Sequence, residues 1–150
     1  MKKKGVLKGV SFGIVCSLVI PFLFSKITQM LAGGQTSFFG ESWLYLALSL
    51  PLIITLGFAG YYLASQDNVP DKKMWIISIL LALIVSLFAG TLGTLLGELV
   101  QRGNLDTMNV EDSMKYGIIY SFVFLPITVP VGKFILNNLN KWITPRKTVL

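Results

Sequence analysis

Four stretches of this chain contain no Asp, Glu, Lys or Arg: residues 9–25, 42–66, 74–97 and 116–132. A hydrocarbon layer about 30 Å thick asks for roughly 20 apolar residues, so four such runs consume most of the chain. The middle two are long enough as they stand. The first and last fall a few residues short and extend past Lys26 and Lys133, whose flexible stems reach back to an aqueous interface. As soluble core helices, four elements apolar almost all round would leave nothing to face water. The expectation is therefore an all-α integral membrane protein in one domain. Four transmembrane helices, over approximately 7–31, 42–65, 74–98 and 112–136, form a compact bundle with short loops, and an amphipathic extension follows over 133–144.

Composition removes several function classes. Only 13% of residues are charged, where a soluble domain carries about a quarter. A net charge of +6 would suggest nucleic acid in a soluble chain. Here the basic residues flank the apolar runs, orientation in a bilayer explains them, and no nucleic-acid partner is expected. With no histidine and a single cysteine, Cys16, the chain lacks the ligands for a His/Cys zinc site or haem, and no cofactor or metal is expected. The start, "MKKKGVLKGVSFGIVCSLVIPFLFS", is basic and then apolar like a secretory leader. It lacks a small-x-small cleavage site, so an uncleaved first span is expected.

The basic residues also orient the spans. One side of a four-span arrangement holds Lys2, Lys3, Lys4, Lys8, Lys72, Lys73, Lys133, Lys141, Arg146 and Lys147, and the other only Lys26, Arg102 and Lys115. Positive charge is retained inside, which predicts a multi-pass cell-membrane protein with both termini cytoplasmic. Glu41, Glu98, Asp106, Glu111 and Asp112 fall outside, and Asp67 and Asp71 inside. Aromatic residues gather at the same boundaries: Phe38, Phe39, Trp43, Tyr45, Tyr116 and Tyr120 outside, and Tyr61, Tyr62, Trp75 and Trp142 inside. Asn109 followed by Glu111 and Asp112 predicts a helix N-terminus, and Pro70 punctuates the inner turn.

The segment "GTLGTLLGEL" places Gly90, Gly93 and Gly97 inside an expected helix. In water each would cost about 1 kcal/mol relative to alanine. In lipid the backbone has no better partner than itself, and glycine instead opens a groove for close helix approach. Ala82, Ser86, Gly90 and Thr94 form one row of small residues, with Ala89, Gly93 and Gly97 beside it. Gly5, Gly9, Gly13 and Ser17 repeat the theme on the first span, and Gly60 and Ala64 on the second. These rows read as packing surfaces, within one bundle or between subunits. Pro21, Pro51 and the pair Pro126 and Pro130 interrupt spans, and the pair marks either a static bend or a moving element lined by freed carbonyls.

Past Lys133, Ile135, Leu136, Leu139, Trp142 and Ile143 share one helix face and Lys133, Asn137, Asn140 and Lys141 the other. That face suits the inner leaflet or a groove on a partner. No ionisable residue falls near a span centre. Glu98 comes closest, at the outer end of the third span, where pairing with Arg102 at i, i+4 accounts for it. Without histidine there is no Ser-His-Asp triad, and no enzyme is expected. The expected role is a small non-catalytic accessory or assembly subunit that packs on a larger membrane protein through its small-residue helix faces, partnered by the lipid bilayer and by that protein or a second copy. The alternative is a homo-oligomeric channel or small-solute transporter, lined by hydroxyls such as Thr91, Thr94, Ser121 and Thr128.

Overall fold

The computed structural model describes residues 2–31, 33–34, 38, 42–66, 68–106 and 108–144. Glu41, Asp67, Phe39, Arg146 and Lys147, counted above, lie outside them. Every regular element among the described residues is helical: α1 (Lys2–Leu31), α2 (Ser42–Ala64), α3 (Asp71–Phe88), a π-helical turn (Ala89–Gly93), α4 (Thr94–Arg102), α5 (Val110–Val123) and α6 (Leu125–Ile143). Three helical runs, Lys2–Leu31, Ser42–Ala64 and Asp71–Arg102, are long and apolar enough to cross a bilayer. The α5–α6 pair meets the same test jointly, with a 64° bend at its break, and makes a fourth crossing if it is one span.

The helix ends follow local chemistry. Asn109 Oδ1 accepts the Asp112 backbone N–H at 3.2 Å, which satisfies one orphan donor where α5 begins and leaves Glu111 and Asp112 at the positive end of the helix. α4 stops at Gly103, whose φ of 76° is open to glycine at little cost and whose N–H returns to the Leu99 carbonyl at 3.0 Å. Pro70 precedes α3, and its carbonyl receives the N–H groups of Lys73 and Met74.

Leu52, Leu56 and Leu63 of α2, Met74 and Leu81 of α3, and Ile135, Leu136 and Leu139 of α6 make the core, with Cys16 from α1. The first and last described segments meet: Lys8 Nζ donates to the Trp142 carbonyl at 2.7 Å, so the start of α1 and the end of α6 share one end of the bundle. Outside, large apolar side chains stand free, among them Phe58 (74% exposed), Phe134 (70%) and Ile127 (65%). A water-soluble monomer rarely shows a continuous apolar surface of this kind.

The C-terminal extension differs from its expectation. It is not a separate helix laid flat beyond the fourth span: residues 133–143 are the second half of α6, and Ile135, Leu136 and Leu139 are buried in the core instead of facing lipid or a partner. The bend at Phe124 redirects the chain, so the apolar stripe of α6 lands on α3 and α2.

Candidate functional site

No one cluster of reactive groups dominates the described residues. The features that single themselves out are the glycine seams and the bent α5–α6 pair, and the structure joins them. Along α1, Gly5, Gly9 and Gly13 lie against the backbone of α2: a Cβ on Gly9 would strike the Leu56 carbonyl oxygen, and one on Gly13 would come within 2.8 Å of Ile53 Cα. From the other side, Gly60 faces Gly5 and Gly9. The two helices touch backbone to backbone, an approach that larger side chains forbid.

The third run uses its glycines on two different neighbours. Gly93 faces α2, where a Cβ would sit 2.7 Å from Ala47 Cβ, and Gly97 faces the Trp43 ring at 2.9 Å. Gly90 turns toward α5, where its Cβ would meet the Gly117 carbonyl oxygen at 2.6 Å. Ser86, one turn earlier, contributes its carbonyl, which accepts a hydrogen bond from Ser121 Oγ at 2.8 Å. Thus the two adjacent rows read from sequence meet different neighbours, Gly90 facing α5 and Gly93 and Gly97 facing α2, and all three glycines pack within the chain.

A π-helical turn over Ala89–Gly93 lies where the two rows meet, and nothing in the sequence pattern announced it. One wide turn shifts the register of the residues that follow, and its loosened carbonyls need donors. Thr91 Oγ1 supplies Leu87 at 2.6 Å, and Thr94 Oγ1 supplies Thr91 at 2.6 Å. Ser121 and Thr128 also donate to backbone carbonyls, Thr128 to Phe124 at 3.1 Å. All four hydroxyls proposed as path-lining groups are thereby engaged with backbone, and the transport reading gains no support from them.

At the bend, Pro126 has no N–H to offer the Phe122 carbonyl. The Phe124 N–H closes α5 on Tyr120, and the N–H groups of Ile127 and Thr128 both turn to the Phe124 carbonyl, starting α6 with proline in its first turn. Pro130 lies inside α6 without a break, as Pro21 and Pro51 do inside α1 and α2. Of the proline pair, only Pro126 coincides with the bend. The two arms are anchored separately on the third run: α5 through Gly117 and Ser121, and α6 through Gly132, whose Cβ would stand 3.4 Å from Ser78 Oγ. Ser78 Oγ in turn donates to the Val129 carbonyl at 3.3 Å.

Gly117 and Gly132 were missed in the sequence as packing residues. The signal was present in Gly117 and Ser121, small residues four apart, but it spans only one turn between aromatic neighbours. Glu98 pairs with Arg102 at 3.1 Å as expected, with its side chain largely covered. Lys133, expected to reach back to the interface, pairs with Asp71 at 2.8 Å and lies over the Trp75 ring.

Comparison with protein-family models, with curated proteins and with solved structures finds no match to this chain in any of the three.

Proposed function

We propose that the chain is an integral membrane protein that crosses the bilayer four times, with the α5–α6 pair as one bent span and both termini cytoplasmic, and that it serves as a small non-catalytic subunit packed against a larger membrane protein. The observation that carries this reading is the uneven covering of α5. Its own chain buries only Gly117 and Ser121 on that helix, while Tyr116, Ile118, Ile119, Tyr120, Phe122 and Val123 face outward. Tyr116, Tyr120 and Phe124 stand in a row, with successive ring centroids 6.4 Å apart. Rigid aromatic side chains lose little entropy when covered, which favours a protein neighbour over fluid lipid at this face.

The small-residue seams no longer supply the contact surface, because the bundle itself uses them. The partner's contact falls instead on large apolar and aromatic groups. The test is a photo-crosslinking residue at Tyr120 of the full chain in its native membrane, with one at Phe58 on α2 as reference. The reading expects one stoichiometric adduct with a larger protein from position 120 and none from 58. Lipid adducts alone from both positions overturn it, and an adduct of twice the chain's own mass redirects it to self-association.

A further inference from the structure

The two ends of the bundle differ sharply in charge, and the difference is organised. The end that holds the start of α1, the start of α3 and the end of α6 gathers Lys2, Lys3, Lys4, Lys8, Lys72, Lys73, Lys133 and Lys141 against Asp71 among the described residues. At the other end Lys26, Arg102 and Lys115 face Glu98, Asp106, Glu111 and Asp112.

Three of the eight lysines hold the end together. Lys2 of α1 lies over Tyr61 of α2 at 5.6 Å, Lys8 of α1 over Trp142 of α6 at 5.6 Å, and Lys133 of α6 over Trp75 of α3 at 4.2 Å. Each contact joins two different helices, and together they set a collar of aromatic rings at the level of the ammonium groups. Such rings settle where hydrocarbon gives way to headgroups. The remaining five, Lys3, Lys4, Lys72, Lys73 and Lys141, are exposed. They lie at the same end of the bundle as that collar, where Asp71 is the one acid among the described residues, and Asp71 is paired with Lys133.

We propose that this lysine-rich end is a docking surface for the phosphate groups of anionic phospholipids, with Lys3, Lys4, Lys72, Lys73 and Lys141 as the contacting groups. The aromatic collar decides for lipid over an acidic soluble protein, because it fixes the ammonium groups at the membrane surface and not above it. Point-like ammonium groups on flexible stems suit mobile phosphodiesters, which demand charge more than geometry.

The full chain is reconstituted in phosphatidylcholine vesicles carrying a trace of spin-labelled phosphatidylglycerol or spin-labelled phosphatidylcholine, and the motionally restricted lipid is measured by electron paramagnetic resonance. Reconstitution in both leaflets makes the result independent of the orientation proposed above. At low salt the anionic lipid associates about three- to tenfold more strongly than the neutral one, and molar salt brings the ratio near one. Replacing the five exposed lysines together by glutamine also brings it near one. That variant keeps Lys2, Lys8 and Lys133, so the lysine–aromatic contacts survive. Lys115→Gln at the opposite end leaves the ratio unchanged. Equal association of the two lipids with the unaltered chain overturns the proposal, as does a preference that persists in the five-lysine variant. Binding of soluble polyglutamate to the unaltered chain without any preference for the anionic lipid overturns it in favour of an acidic protein partner.

Discussion

Adding one methyl group at Gly117 sets the seam between α5 and the third run against itself. The new Cβ would lie 2.5 Å from the Gly90 carbonyl carbon and closer still to its oxygen, where ordinary contact begins near 3.4 Å. Neither obstacle is a flexible side chain, so α5 must withdraw by well over about 1 Å to restore ordinary contact with the oxygen. A shift of that size carries Ser121 Oγ, now 2.8 Å from the Ser86 carbonyl, out of good hydrogen-bond range. Overpacking of this kind costs about 1–3 kcal/mol, and an interhelical hydrogen bond in a membrane protein contributes roughly 0.6. Gly117→Ala should therefore lose about 2–3 kcal/mol, with any gain in helix propensity subtracting up to about 1. Gly132→Ala is the matched control on the same bent pair. Its Cβ meets Ser78 Oγ at 3.4 Å, an ordinary contact, so its stability should stay within about 1 kcal/mol of the parent. Both are measured by reversible unfolding in mixed micelles. Equal stabilities for the two variants, or a larger loss at Gly132, would refute the claim that backbone contact at Gly90 and Gly117 limits how α5 seats.

Pro126→Ala restores a donor for the Phe122 carbonyl and should relax the 64° bend. With arms of about 6 and 18 residues between the break and labels at Ile118 and Trp142, at about 1.5 Å each, full straightening lengthens the label separation by about 4 Å, read by pulsed dipolar spectroscopy. Pro130→Ala should leave that distance unchanged. Asn109→Ala should cost about 1 kcal/mol and speed amide exchange in the first turn of α5, while Asn109→Ser restores protection. A double-mutant cycle on Asp71 and Lys133 should give a coupling of about 0.5–1 kcal/mol that weakens as salt is added. Trp75→Leu should remove a further contribution of about 0.5 kcal/mol from Lys133.

The features legible in the sequence are the ones whose causes are local. The Asn109 cap needs only Asp112, three residues on, and the Glu98–Arg102 pair only one turn of helix. The helix boundaries at Leu31, Ser42 and Ala64 follow from where apolar runs meet glycine, proline or charge, while α3 takes in the charged residues from Asp71 that the expected span over 74–98 left outside. The seams were legible as small-residue rows, but their partners were not. Whether Gly93 meets Ala47 or a second chain depends on how distant segments meet, and no local pattern carries that information. The π-turn was likewise hidden, since no residue type in Ala89–Gly93 marks a wide turn. Pro126 and Pro130 look alike in sequence. They part company because Pro126 falls in the first turn after the break while Pro130 lies inside α6, and neither residue marks by itself where the break falls. The apolar stripe of residues 133–143 was read correctly as a stripe and assigned the wrong cover, because the bend that swings it onto α3 lies upstream of it.

The most direct measurement is the sidedness of single cysteines placed at Lys4, Lys72, Asp106 and Lys141 in a background with Cys16→Ala, probed with a membrane-impermeant maleimide on intact cells and on inverted vesicles. Four crossings with the bent pair as one span require positions 4, 72 and 141 to react only in inverted vesicles and position 106 only in intact cells. Reaction of positions 4 and 141 from opposite sides would mean that α5 and α6 do not cross together, and would contradict the architecture on which every functional statement here rests.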